Sequence, residues 1–168
     1  MFRKKRKKPS PYTFTIDNKD SPLSLRLIKG VLVVVEDLPS KVEKSGLTSD
    51  QIQTYVEAKC KRAGMRVMST EESLNAAGYP ILAVNVDVEK IQGNGHYHYS
   101  IHVDLHQNVH LERDPQIMII GATTWASSSY GIGRELDHMR GRVKNHVNEF
   151  IKAYSAANSE LNSSPQRR

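Results

Sequence analysis

The chain predicts a single layered α/β domain, a mixed sheet of about five strands with helices packed on one face and a long helix near its end. Three features of the sequence predict it. Residues Ile81 to Leu111 alternate between apolar and polar side chains in two runs separated by Gly93-Asn94-Gly95, the pattern of a long antiparallel hairpin. Val31 to Val35 is an unbroken, largely β-branched run, and two apolar stripes at helical spacing lie over 49–63 and 136–154.

The hairpin is the most informative of these. From Tyr97 the odd positions are Tyr97, Tyr99, Ile101, Val103, Leu105, Val109 and Leu111, and the even ones are His98, Ser100, His102, Asp104, His106, Asn108 and His110. Successive strand side chains point to opposite faces, so this is the period of a strand and not of a helix. One sheet face is expected to be buried and the other polar. The partner run divides the same way, with Leu82, Val84, Val86 and Val88 against Ala83, Asn85, Asp87 and Glu89.

Taken in order, residues 1–11 read as a disordered basic arm, 12–157 as one α/β domain and 158–168 as a polar tail. Tyr12-Thr13-Phe14-Thr15-Ile16 suits either a short extra strand or an extended arm lying on a neighbour. Val31 to Val35 reads as a strand buried on both faces, ended by Glu36-Asp37-Leu38-Pro39. Thr48-Ser49-Asp50-Gln51 caps a helix to Ala63 whose apolar face is Ile52, Tyr55, Val56, Cys60 and Ala63, with Gly64 as its stop. Met65 to Met68 is a short strand, and Glu71 to Ala77 a short helix capped by Ser69 or Thr70. Gln116 to Ile120, continuing through Thr123, Thr124 and Trp125, gives a further strand. Ser127 to Gly133 reads as a loop. Leu136, Met139, Val143, Val147, Phe150, Ile151 and Tyr154 then mark the long helix.

Composition narrows the function classes. One cysteine, Cys60, excludes an intramolecular disulfide and a four-thiolate zinc site, and its place on the helix makes it a small core residue. No apolar run approaches the roughly 20 residues of a membrane-spanning helix. The net charge of +6 is concentrated in Arg3, Lys4, Lys5, Arg6, Lys7 and Lys8, which leaves 18 basic against 18 acidic residues beyond position 8. Any polyanion affinity is therefore expected mostly in the arm, toward an anionic membrane surface or RNA or DNA phosphates, the other reading of the run being a disordered, solubilising tail. Pro9-Ser10-Pro11 follows the basic run where the apolar part of an export signal would begin. The chain as written is expected to be cytoplasmic or membrane-peripheral, and periplasmic if a signal sequence lies upstream.

Gly30-Val31-Leu32-Val33-Val34-Val35-Glu36-Asp37-Leu38, Glu43-Lys44-Ser45-Gly46-Leu47-Thr48, Tyr79-Pro80-Ile81-Leu82-Ala83-Val84-Asn85-Val86 and Thr123-Thr124-Trp125 resemble an uncharacterised family of small bacterial α/β proteins, over about Leu27 to Asn158. The element order is also similar to the N-terminal α/β domain of TolB-like and CsgG-like envelope proteins. That resemblance implies a role in assembly, with no active site to carry over.

The histidine face invites three readings: a solvated polar face, a pH-sensitive partner surface, or a metal site. His98, His102, His106 and His110 recur every fourth residue, about 13 Å apart along one strand, so a metal needs help from the partner strand. If Val86 lies near Ile101, Asp87 and Glu89 approach His98 and His102, a donor set suited to zinc or a similar divalent metal. His106, His110 and Trp125 are candidates for a protein interface, with core as the other place for Trp125. Gly131-Ile132-Gly133-Arg134 lacks the third glycine of a dinucleotide loop, and Ser127, Ser128 and Ser129 lack a nucleophile elbow. No catalytic residue and no cofactor is assigned. The reading is a non-enzymatic interaction module with protein partners. A nucleic-acid- or ribosome-associated protein held by its basic arm and a metal-dependent enzyme using the hairpin are the alternatives.

Overall fold

The computed structural model describes residues 23–93 and 95–162; the basic run Arg3 to Lys8 and the Tyr12 to Ile16 run lie outside them. A short 3-10 turn, Leu23–Leu25, leads to β1 (Gly30–Val35), α1 (Ser40–Glu43), α2 (Ser49–Arg62), β2 (Arg66–Val67) and α3 (Thr70–Leu74). Then come β3 (Ile81–Lys90), β4 (Tyr97–Leu111), β5 (Asp114–Gly133) and α4 (Leu136–Asn162).

The strands form one mixed five-stranded sheet in the order β2-β1-β3-β4-β5. β1 pairs parallel with β2 and β3, and β3, β4 and β5 pair antiparallel in succession. α2 and α3 begin where the sequence supplies a cap. The Thr48 hydroxyl accepts from the Gln51 N–H at 3.2 Å, and Ser69 and Glu72 form a reciprocal capping box ahead of α3. The Ser69 N–H hydrogen bond holds the Glu72 carboxyl below the usual carboxylate range.

The period of two decides which side is covered. Tyr99, Ile101, Val103 and Leu105 of β4 and Leu82, Val84, Val86 and Val88 of β3 are buried beneath α2 and α4, where they meet Ile52, Val56, Cys60, Met139, Val143, Val147 and Phe150. Trp125 packs edge-to-face on Phe150, ring centres 5.3 Å apart, on the flank of this core. Burial, with Glu57 nearby, pushes the Cys60 thiol up to about 12.

Three expectations are corrected. β1 is well buried on one face only: Val31 and Val33 join the core under α2 and α4, while on the other face Leu32 is half-buried and Val34 is 39% exposed. Ser127 to Gly133 is strand and not loop, and Gly131-Ile132-Gly133 is the end of β5 and not a connector. β4 supplies the reason, since its residues 97–103 pair with 127–133, and small side chains are what the packing there admits. A Cβ on Gly131 would lie 2.9 Å from the Tyr99 hydroxyl oxygen. Asn158, assigned by composition to the tail, lies inside α4 and is buried. Its Nδ2 donates to the Leu25 carbonyl at 3.0 Å and its Oδ1 accepts the Leu27 N–H at 2.9 Å, tying the entering chain to the helix.

Phe150→Ala should cost about 3–5 kcal/mol by removing a fully buried ring, read as a lowered urea midpoint at unchanged slope. The Cys60 thiol should stay inert to a thiol-specific chromogenic reagent until the protein unfolds, and react stoichiometrically in denaturant.

Candidate interaction surface

The long helices α2 and α4 cover one sheet face, and the composition of the other follows from register. Val86 lies opposite Ile101, which sets Ala83 against Asp104, Asn85 against His102, Asp87 against Ser100 and Glu89 against His98. β5 continues the row with Ser128 beside His102, Tyr130 beside Ser100 and Ile132 beside His98. Tyr130 is 88% exposed and Ile132 60%. Asn85 donates to the Glu36 carboxylate, and its own Oδ1 is shielded from solvent with no partner among the described residues.

Three of the histidines, His102, His106 and His110, are held by near neighbours. The His102 Nε2 lies 2.9 Å from the Ser100 hydroxyl and the His106 Nδ1 3.1 Å from the Thr123 hydroxyl. His110 Nδ1 donates to the Pro115 carbonyl at 2.7 Å, across the β4–β5 turn. Of the four candidate metal ligands, Asp87, Glu89 and His98 line one depression of about 320 Å³ with Pro39 and Ser100, and His102 is not among its lining residues. Among the described residues no three His, Cys, Asp or Glu side chains are grouped so as to hold an ion.

Beyond His106 the hairpin outruns the sheet. β3 pairing stops at Ile81 opposite His106 and the Asn108 N–H still donates to the Gly78 carbonyl at 2.6 Å, while β4 and β5 continue together to the Leu111–Asp114 turn, an arm of about 10 Å beyond Asn108 at 3.3 Å per residue. Gly121, at φ +68, and the register shifts around it bend β5 as it leaves the body. Ile117, Met118, Ile119 and Ile120 on this arm are 42%, 48%, 40% and 74% exposed. Alternation puts two of the four on each face, so neither face of the arm is polar along this stretch. The run was legible as a strand, but its exposure was not, because a strand beyond the sheet and one in its core share the same apolar signature.

A second cluster escaped sequence reasoning altogether. His146 of α4 is 7% exposed and sits between Ser127 and Ser129 of β5, its Nδ1 2.7 Å from one hydroxyl and its Nε2 2.8 Å from the other. The Ser127 hydroxyl donates to Glu149, so its oxygen accepts from Nδ1–H of His146. A nucleophile with its base has this geometry too, but here the ring is closed in between strand and helix and fastens one to the other. The available signal was the spacing: a histidine three residues after Val143 and four before Phe150 lies on the apolar stripe.

No described helix is long and apolar enough to cross a membrane. No family model matches the chain, and no curated protein matches it. Among solved structures it is similar to the PelC dodecamer from Paraburkholderia phytofirmans, at 15% identity over 77% of this chain and 92% of that one, with a TM-score of 0.42. At that level the likeness carries no argument about the role of this chain.

His146→Leu should lower stability by about 2 kcal/mol, because it strands the Ser129 hydroxyl against an apolar side chain and leaves Ser127 with Glu149 alone. Tyr130→Ser, on the exposed face, should stay within about 0.5 kcal/mol of the parent. Urea unfolding of both variants checks the contrast.

Proposed function

We propose that the chain is a non-enzymatic docking module of a larger bacterial assembly seated at or near a membrane, and that the β4–β5 arm and the uncovered sheet face meet its protein partner. One observation carries the reading: the arm holds four consecutive apolar residues, Ile117 to Ile120, each substantially exposed and spread over two faces. A projecting ribbon of that kind gains its stabilisation from being enclosed by another surface. Its turn is charged, with Glu112, Arg113 and Asp114 beyond the apolar stretch, which suits a protein groove better than the interior of a lipid layer. His106 lies at the root of the arm and His110 near its tip. The run Arg3 to Lys8 adds attraction to an anionic membrane, at about 1 kcal/mol per basic residue near such a surface.

A second reading is favoured by that run alone: six consecutive basic residues suit RNA as well as lipid. The balanced charge of the rest of the chain gives such binding no sequence specificity. A metal-dependent enzyme at Asp87, Glu89, His98 and His102 is the third reading.

Gradient fractionation of host lysate at low and moderate salt separates the first two. Full-length protein and a version lacking residues 1–8 should both co-migrate with a membrane complex, and Ile120→Lys should abolish that co-migration. Migration with ribosomes that disappears with residues 1–8, or falls steeply between about 50 and 200 mM salt, would replace docking by electrostatic binding to RNA.

A further inference from the structure

The sheet has two edges, and the chain treats them oppositely. β2 is two residues long, and Arg66 on it is paired with Glu72, a short charged edge of the kind that resists pairing with other chains. β5 is twenty residues long. From Gln116 to Gly133 it contains no charged residue and no proline. Among the described residues, bulges near Thr124 and Gly121 and the Ser24 hydroxyl on the Thr124 carbonyl are what blunts it. A long edge without charges is a template for another strand, and its sequence narrows which strand that is.

Self-pairing about a twofold axis brings an edge against its own copy, so charges of one sign near the axis meet their like. An edge free of charge is the kind that can pair with itself without repulsion. The charged turn, Glu112 to Asp114, lies at one end of β5, and antiparallel pairing sends the two turns to opposite ends of the joint. The exposed apolar residues of β5 are complementary in position as well. Met118 shares a sheet face with His110, as Ile132 does with His98 and Tyr130 with Ser100, all on the histidine side. An axis near Trp125 sets Met118 of one copy opposite Ile132 of the other and Ile120 opposite Tyr130. Gly131 and Gly133 then fall opposite Ile119 and Ile117. Ser24 donates to the Thr124 carbonyl at 2.8 Å, next to the axis, and the pairing runs to either side of that point.

We propose that β5 pairs antiparallel with β5 of a second copy of this chain, about a twofold axis near Trp125, joining the two sheets edge to edge. The inference rests on the docking reading above and names its partner.

Sedimentation velocity of the full-length protein up to about 100 μM tests it. A species of twice the chain mass is expected, reverting to the chain mass in the double variant Met118→Lys and Ile132→Lys with an unchanged circular dichroism spectrum. Both positions are exposed, so the variant keeps its core. Register is read by oxidising Ile120→Cys and Tyr130→Cys proteins: a mixture of the two should cross-link, and neither alone should. A monomer throughout overturns the proposal. So does a dimer indifferent to both lysines, and so does one lost only when residues 1–22 are removed, since either gives the edge to another occupant. A monomer that still co-migrates with a complex in lysate sinks self-pairing and leaves docking standing; a dimer found in no complex does the reverse.

Discussion

Everything in this molecule depends on β4 keeping a strict period of two between two antiparallel neighbours. Its odd side chains, Tyr99 to Leu105, are the floor on which α4 lies, and its backbone holds β3 on one side and β5 on the other. A shift of one residue would turn His102 and Asp104 into the core and Ile101 and Val103 to solvent, an exchange no other element could compensate. The register of β3 against β4 and the seating of α4 are therefore a single constraint. β1 and β2 attach to a platform already defined.

With both long helices, α2 and α4, on one side, the sheet is close to half a sandwich. The uncovered half is neither plainly solvated nor plainly apolar: Ala83, Asn85, His102 and Ser128 run across its middle, while Tyr130 and Ile132 stand at its margin. The free edge and the arm continue the same side of the molecule. Buried surface is thus concentrated in the body, and the apolar surface left over is concentrated in one strand, β5.

Legibility in the sequence followed the strength of local periodicity. β3, β4, α2 and α4 were readable because burial there is regular, and the Val86–Ile101 register was recoverable because a polar face must meet a polar face. Ser127 to Gly133 was not, since serine and glycine carry little strand preference and the pairing is imposed by β4. β1 looked buried on both sides because an apolar run such as Val31 to Val35 does not record whether a second helical layer exists. α1 and the turn at Leu23 are too short to leave a periodic trace. His146 was hidden because its partners lie about twenty residues away on another element.

The clasp between β5 and α4 also sets a sequence of events during synthesis. Ser127 and Ser129 leave the ribosome before His146 and Glu149, so the longest and least charged edge of the sheet exists for a time without the helix that secures it. At about 5 to 20 residues per second, the helix that follows takes roughly 1 to 5 s to be made. Through that interval the nascent strand is open to any neighbouring β-segment, and chains on adjacent ribosomes of one message are the nearest. The nascent chain is therefore most exposed to aggregation at this point, and chaperone protection matters most there.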